Sequence, residues 1–311
     1  MSGLHHVTAI AGKASQNFDF YTGTLGLRLV KKTVNFDDPG TYHLYYGDER
    51  GQPGTILTFF PWQDPAPGRG GTGFTHQTAF KIPLSAFGYW THRFVEKGVR
   101  HEPLEKRFGE SVLAFTDPDG TRLALIGVAG VEATEGWSSN EVPAEHAIRA
   151  LHSVTLLLDD AALTAAVLID ALGFAEVDRD GAIIRYRTQS ADKGAVIDIH
   201  QAKGFPAGHL GRGSVHHIAF RAVDDAAQAA MARKLSDEHH LHPTPQINRK
   251  YFRSIYFREP GGVLFEIATD APGFDVDEPR ESLGHALQLP VEYEPARADI
   301  EKALPPLGTA A

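Results

Sequence analysis

The 311-residue sequence contains no cysteine, which excludes disulfides, thiolate metal sites and a cysteine nucleophile. It has no run of about 18 apolar residues, so a membrane-spanning helix is not expected, and Met1 to Ala11 lacks the charged start and long apolar core of a secretory signal. A cytoplasmic protein with no membrane partner is the expectation. Lys/Arg-rich runs are missing too, and 39 acidic against 30 basic residues give a formal net charge of −9, so no nucleic-acid partner is expected. Histidine, by contrast, is abundant: there are 16, and imidazole is the commonest side-chain metal ligand and titrates near neutrality. At roughly 100 to 200 residues per domain, the length suggests two domains.

Four stretches repeat a pattern of apolar or small residues around a histidine: Leu4 to Ile10, Thr75 to Phe80, Leu151 to Leu157 and Val215 to Phe220. Each reads as a β-strand. Helical segments follow at Asn17 to Leu25, Leu84 to Lys97, Ala161 to Leu172 and Ala226 to Glu238, the first three stopped by Gly26, Gly98 and Gly173. Each unit then ends in strands that follow a Gly-containing turn, at Thr55 to Phe60, Thr121 to Ile126, Ala195 to His200 and Val263 to Ala268. The expected fold is therefore α+β, with four βαβββ modules in two tandem domains, 1–130 and 149–275, paired into curved mixed sheets around a cavity. Residues 131–148 read as a linker and 276–311 as a surface-hugging tail.

Aligning the four openings gives one column of His5, His76, His152 and His216 and a second of His6, Gln77, Ser153 and His217. A third column, from the last strand of each module, holds Thr58, Ala124, Asp198 and Glu266. Glu266 stands out, because an ionised carboxylate inside Val263 to Ala268 is costly to bury unless paired or metal-bound. Two neutral imidazoles and one carboxylate with open positions make the facial arrangement of non-haem Fe(II) oxygenases. The best candidates are His6, His217 and Glu266. Strand alternation turns His5 and His216 to the opposite face, so a bulge or a neighbouring sheet brings them near, or they support the ligands from behind.

These modules resemble the vicinal oxygen chelate superfamily of glyoxalases, bleomycin-resistance proteins and extradiol ring-cleaving dioxygenases. Leu4 to Thr8, Tyr42 to Glu49, Gly51 to Thr55, Glu145 to Ala147, His216-His217, Asn248 to Phe252, Pro260 to Glu266 and Arg280 to Gly284 are similar to its hydroquinone-cleaving branch, typified by 2,6-dichlorohydroquinone 1,2-dioxygenase. The resemblance implies Fe(II), with Mn(II) as the alternative, held by His6, His217 and Glu266. It also implies supporting roles for His5, Thr8, His216, Arg249 and Tyr256, and an aromatic diol and O2 as substrates.

Two other readings stay open. A glyoxalase-type isomerase or lyase needs a fourth ligand, commonly a second carboxylate, for which Asp198 is the candidate; a drug-sequestering protein needs the cavity and no redox chemistry. A ligand trio of His152, His217 and Glu266 would place the metal wholly in the second half. Which ring substituents fit, hydroquinone against catechol, and homo-oligomerisation through exposed strand edges are left open by the sequence.

Overall fold

The structure, a computed structural model, describes residues 3–134, 136–189 and 192–308. The first module runs β1 (Leu4–Ala11), α1 (Ala14–Phe18), β2 (Arg28–Asn35), β3 (Asp38–Gly47) and β4 (Ile56–Pro61), with α1 continuing into a π-helical turn, Asp19–Thr24. The second has β5 (Phe74–Pro83), α2 (Phe87–Glu96), β6 (Glu105–Arg107), β7 (Glu110–Thr116) and β8 (Arg122–Val128). The third comprises β9 (Ala150–Leu158), α3 (Ala162–Asp170), β10 (Ala175–Asp180), β11 (Ile183–Arg187) and β12 (Val196–Gln201). The fourth is β13 (Val215–Ala222), α4 (Asp225–Asp237), β14 (Ile247–Asn248), β15 (Arg253–Arg258) and β16 (Leu264–Thr269), and α5 (Arg297–Ala303) lies in the tail. Four βαβββ modules in an α+β fold are thus present where the repeat places them. Among the described residues no helix is long and apolar enough to cross a membrane.

The modules pair across the chain. One eight-stranded sheet has the order β14-β15-β16-β13-β1-β4-β3-β2, the other β10-β11-β12-β9-β5-β8-β7-β6. Module one therefore joins module four, and module two joins module three, so each sheet takes one module from each half of the sequence. The joints are antiparallel, β1 with β13 and β5 with β9, while the opening and closing strands of each module run parallel. Apolar side chains of the openings and helices, among them Val7, Phe80, Trp90, Val154 and Phe220, are almost fully removed from solvent in one continuous core.

Each joint carries two bulges, and all four fall on the first histidine column. Leu4 faces Phe220 while His6 faces Ala219, leaving His5 as the extra residue; Thr8 faces His217 while Ala9 faces Val215, leaving His216 extra. The same slips on the other sheet leave His76 and His152 extra. A bulge redirects the extra side chain. It is the local reason adjacent histidines can serve one site.

The tail closes one sheet edge. Leu287 bridges Lys32 of β2, Gln288 N–H donates to Lys32 O at 2.9 Å, and Thr33 Oγ1 donates to Gln288 O at 2.6 Å. Lys31, with no solvent exposure, is neutralised by Asp277 and Glu278 of the tail. A buried ammonium needs such partners.

Candidate metal centre

His6 enters on β1, His217 on β13 and Glu266 on β16, three strands that lie side by side in one sheet. All three residues are buried, Glu266 without exposure. His6 Nε2 lies 3.4 Å from His217 Nε2 and 3.3 Å from Glu266 Oε2, and His217 Nε2 lies 2.9 Å from the same oxygen. Two ligands at right angles, each about 2.1 Å from one ion, stand about 3.0 Å apart. The triangle has the dimensions of one face of an octahedron, which leaves the opposite face for other ligands. Among the described residues this is the one group of three such side chains whose ligand atoms fall within 4.8 Å of one another.

The donor chemistry fits a cation. His6 Nδ1 is bonded to His5 Nδ1 at 2.9 Å, and His217 Nδ1 to His216 Nδ1 at 2.8 Å. With His5 and His216 occupying Nδ1 of the two imidazoles, both Nε2 atoms converge on one carboxylate oxygen, a cluster that needs a proton or a metal ion at its centre. Glu266 Oε2 is buried without a well-formed hydrogen bond, whereas Oε1 accepts from Ser254 Oγ at 2.5 Å. Burial pushes the Glu266 carboxyl up, but the two imidazoles outweigh it and hold it well below the usual carboxylate range. Burial drives His217 down, partly offset by Glu266.

A cavity of about 330 Å³ opens on His6, His217 and Glu266. Its walls include Phe60, Trp62, Phe252 and Tyr256, and Arg249 and Asp37 lie at it from opposite modules. Such a volume and such aromatic walls suit a small ring. The Arg249 guanidinium donates to both Asp37 oxygens, at 3.3 and 3.0 Å, and stands 5.5 Å from the Tyr256 ring centre. Its Nε is buried without a partner.

Each of the remaining sequence candidates has a definite place. His216 and Tyr256 line the cavity, and the Tyr256 ring meets that of His217 edge-on at 5.7 Å. Burial and the neighbouring His217 depress His216 to about 3; burial raises the Tyr256 hydroxyl above its ordinary value. His5 backs His6 and lines a separate cavity of about 230 Å³ behind Phe252. Thr8 has no exposure and accepts from Thr58 Oγ1 at 2.9 Å. Bulges at both His5 and His216, one of the routes left open by strand alternation, are present.

The alternative trio does not assemble. His152 lies on the other sheet, where its Nε2 bonds Glu110 at 3.1 Å and its Nδ1 bonds Ser153 Oγ at 3.0 Å. Asp198 is there too, gripped by Arg185 at 2.8 and 2.9 Å, so it supplies no fourth ligand to Glu266. Arg185 also reaches Glu110 at 2.6 Å. The second sheet therefore holds a protein cation among the counterparts of the ligand positions, with Gln77 and Ser153 in place of histidines.

Sequence reasoning missed His43, Tyr45, Ser254 and Phe252 as site residues. His43 Nε2 bonds Thr58 Oγ1 and Tyr45 hydroxyl bonds His43 Nδ1, both at 2.8 Å, linking the cavity wall to Thr8. Alternation along β3 puts His43 and Tyr45 on one face, which was the available signal. Ser254 shares a face with Tyr256 for the same reason. Phe252, 5.1 Å from the rings of both His5 and His6, follows a turn and had no periodic signal.

Comparison with known proteins places the chain in a family. The model of the Glyoxalase/Bleomycin resistance protein/Dioxygenase superfamily matches residues 3–125 and 150–267. The chain is 46% identical over 304 residues to the "Putative ring-cleaving dioxygenase MhqO" of Bacillus subtilis (strain 168), covering 98% of this chain and 96% of that protein. It is 33% identical over 309 residues to the chlorohydroquinone/hydroquinone 1,2-dioxygenase of Sphingobium indicum, covering 98% and 96%. A crystal structure described as a putative dioxygenase from Bacillus subtilis superposes with a TM-score of 0.94 at 44% identity, covering 99% of this chain and 98% of that one. Glyoxalase I from Zea mays, at 15% identity and a TM-score of 0.66 over 87% of this chain and 93% of that one, shares the fold. The chain belongs to the Glyoxalase/Bleomycin resistance protein/Dioxygenase superfamily.

Proposed function

We propose that this protein is an Fe(II)-dependent dioxygenase that opens the ring of an aromatic diol of the hydroquinone or catechol type, with Mn(II) as the alternative ion. His6, His217 and Glu266 are the ligands in this reading, and His5, Thr8, His216, Arg249 and Tyr256 act around them. One observation carries it: three converging ligand-type atoms, 2.9 to 3.4 Å apart, at the wall of an aromatic-lined cavity of about 330 Å³. The names of the full-length relatives, a ring-cleaving dioxygenase and a chlorohydroquinone/hydroquinone 1,2-dioxygenase, support it.

When bound, the ion supplies Lewis acidity toward a phenolic oxygen and a path for electrons between the ring and O2. The chain supplies the rest. Phe60, Trp62 and Phe252 enclose the ring and keep water from it. Tyr256, kept protonated by burial, donates a hydrogen bond to a diol oxygen. His216, kept neutral by burial and by His217, uses its acceptor nitrogen Nδ1 on His217 and so turns an Nε2–H toward the second diol oxygen, to which it donates. His5 and His216 fix the imidazoles of the ligands through their Nδ1 contacts. A passive binder has no use for three converging ligand atoms, and an isomerase lacks its fourth ligand because Asp198 is held by Arg185.

The test is oxygen consumption. Anaerobic loading with Fe(II), followed by air-saturated buffer and a panel of substituted hydroquinones and catechols, is expected to give uptake with loss of the aromatic absorbance. Absence of uptake with every diol removes the reading.

A further inference from the structure

Two residues at the cavity, Arg249 and Phe252, sit on one tight turn between β14 and β15. Inside it Tyr251 N–H donates to Arg249 O at 2.8 Å and Arg249 N–H to Phe252 O at 2.9 Å. Lys250 at its tip has φ of +67°, an uncommon conformation for a residue with a Cβ, which persists only where surroundings over-determine it. Asn248 Oδ1 accepts from Lys250 N–H at 2.8 Å and Gly273 N–H donates to Tyr251 O at 2.9 Å, and the tail holds the turn's side chains from outside. Lys250 Nζ reaches Asp277 at 2.7 Å and donates to Leu289 O at 2.9 Å, and Tyr251 hydroxyl donates to Asp277 at 3.0 Å. Asp277 is itself fixed by Lys31 of β2 at 2.6 Å. Across the mouth the tail holds the other half as well, since Tyr293 hydroxyl donates to Phe36 O at 2.8 Å, next to Asp37.

We infer that Asp277 is a positioning residue for substrate binding, acting through Lys250 and Tyr251 to hold the turn that presents Arg249 and Phe252 to the cavity. The inference rests on the ring-cleaving reading and deepens it, because it assigns the C-terminal tail a part in the shape of the aromatic pocket. Asp277 touches neither the ligands nor the cavity. Its loss therefore acts on the fit of the ring and leaves the grip on the ion in place.

The experiment compares Asp277→Asn, Lys250→Met and Tyr251→Phe with Lys302→Ala, a control at an exposed position of α5 in the same tail. Lys31 keeps Glu278 in every variant, which protects the fold. Bound iron, the KM and kcat of oxygen uptake, and the direct affinity of the apo-protein for a hydroquinone, read by quenching of intrinsic fluorescence, are measured together. Expected are a KM and a dissociation constant raised roughly tenfold in Asp277→Asn and Lys250→Met, and less in Tyr251→Phe, with iron content and kcat within about twofold, as supporting contacts typically give. Both constants unchanged in Asp277→Asn and Lys250→Met, or kcat and iron falling together with KM fixed, overturn the inference. The fluorescence titration reads ring binding without turnover, so an enzyme inert toward every diol sinks the ring-cleaving reading separately.

Discussion

Glu266 has no contact with solvent, yet it stays ionised because two imidazoles face one of its oxygens and Ser254 holds the other. Neutralising it should be decisive: Glu266→Gln is expected to copurify with less than about a tenth of the iron of the unaltered protein, since the remaining pair of imidazoles offers no charge to the ion. Elemental analysis reads the outcome, and full iron content in that variant would rule out Glu266 as a ligand. Ser254→Ala is the milder case, keeping all three ligands but freeing the carboxylate to rotate. A loss of ten- to a hundred-fold in metal affinity, measured by chelator competition, is the expected size for such supporting contacts. The three candidate ligands were legible in the sequence, because His6 and His217 occupy one alignment column and Glu266 interrupts an apolar strand. Ser254 was not, because a serine facing a carboxylate looks the same in sequence as one facing water.

At the scale of elements, the bulges decide what the openings can do. Regular alternation puts neighbouring histidines on opposite faces; an extra residue at His5 and at His216 brings both pairs into Nδ1 contact. A bulge has no sequence signature of its own, so periodicity could name it only as one of several ways for these histidines to serve the site. The tail is a second case. Its composition marked it as surface-hugging, but not the strand it covers. Gly284 lies there with φ of +80°, and a Cβ on it would come within 2.0 Å of Leu29 O. Gly284→Ala should therefore cost about 1 to 3 kcal/mol of stability and loosen the tail from β2, visible as a lower denaturation midpoint and faster amide exchange at 285–289. An unchanged midpoint would show that the tail adjusts freely.

For the whole molecule, two sheets of common design have diverged in what fills them. Where one gathers His6, His217 and Glu266, the other has Gln77 and Ser153 and the network of Glu110, His152, Arg185 and Asp198. One divalent ion per chain is expected on this ground, and a stoichiometry of two would contradict it. The network also sets an acid limit. Burial pushes the Glu110 carboxyl up, but hydrogen bonds from His152 and Arg185 bring it to about 2, while burial lowers His152. A depressed carboxyl stabilises the fold fully above its unfolded value and loses that contribution as pH falls toward 2; a depressed imidazole likewise disfavours the folded state once pH drops below about 6.5. Discounted for the partial exposure of Glu110, the carboxyl contributes about 1 to 2 kcal/mol. Denaturation of the unaltered protein and of Glu110→Gln between pH 7 and 3 should give a shallower acid decline in the variant; parallel curves would exclude the network as the source.

The sequence by itself determined the four modules, three of the four helix ends at their glycines and the three ligand candidates, because these follow from local periodicity and from the cost of burying a lone charge. Only the tertiary structure decided that module one joins module four. Pairing is a choice among strand edges of similar composition, settled by how the modules bury one another and not by any residue within a single module. That choice brings residue 6 beside residue 217, hands Asp198 to Arg185, and lets a tail beyond residue 276 shape the mouth of a cavity whose walls begin at residue 6.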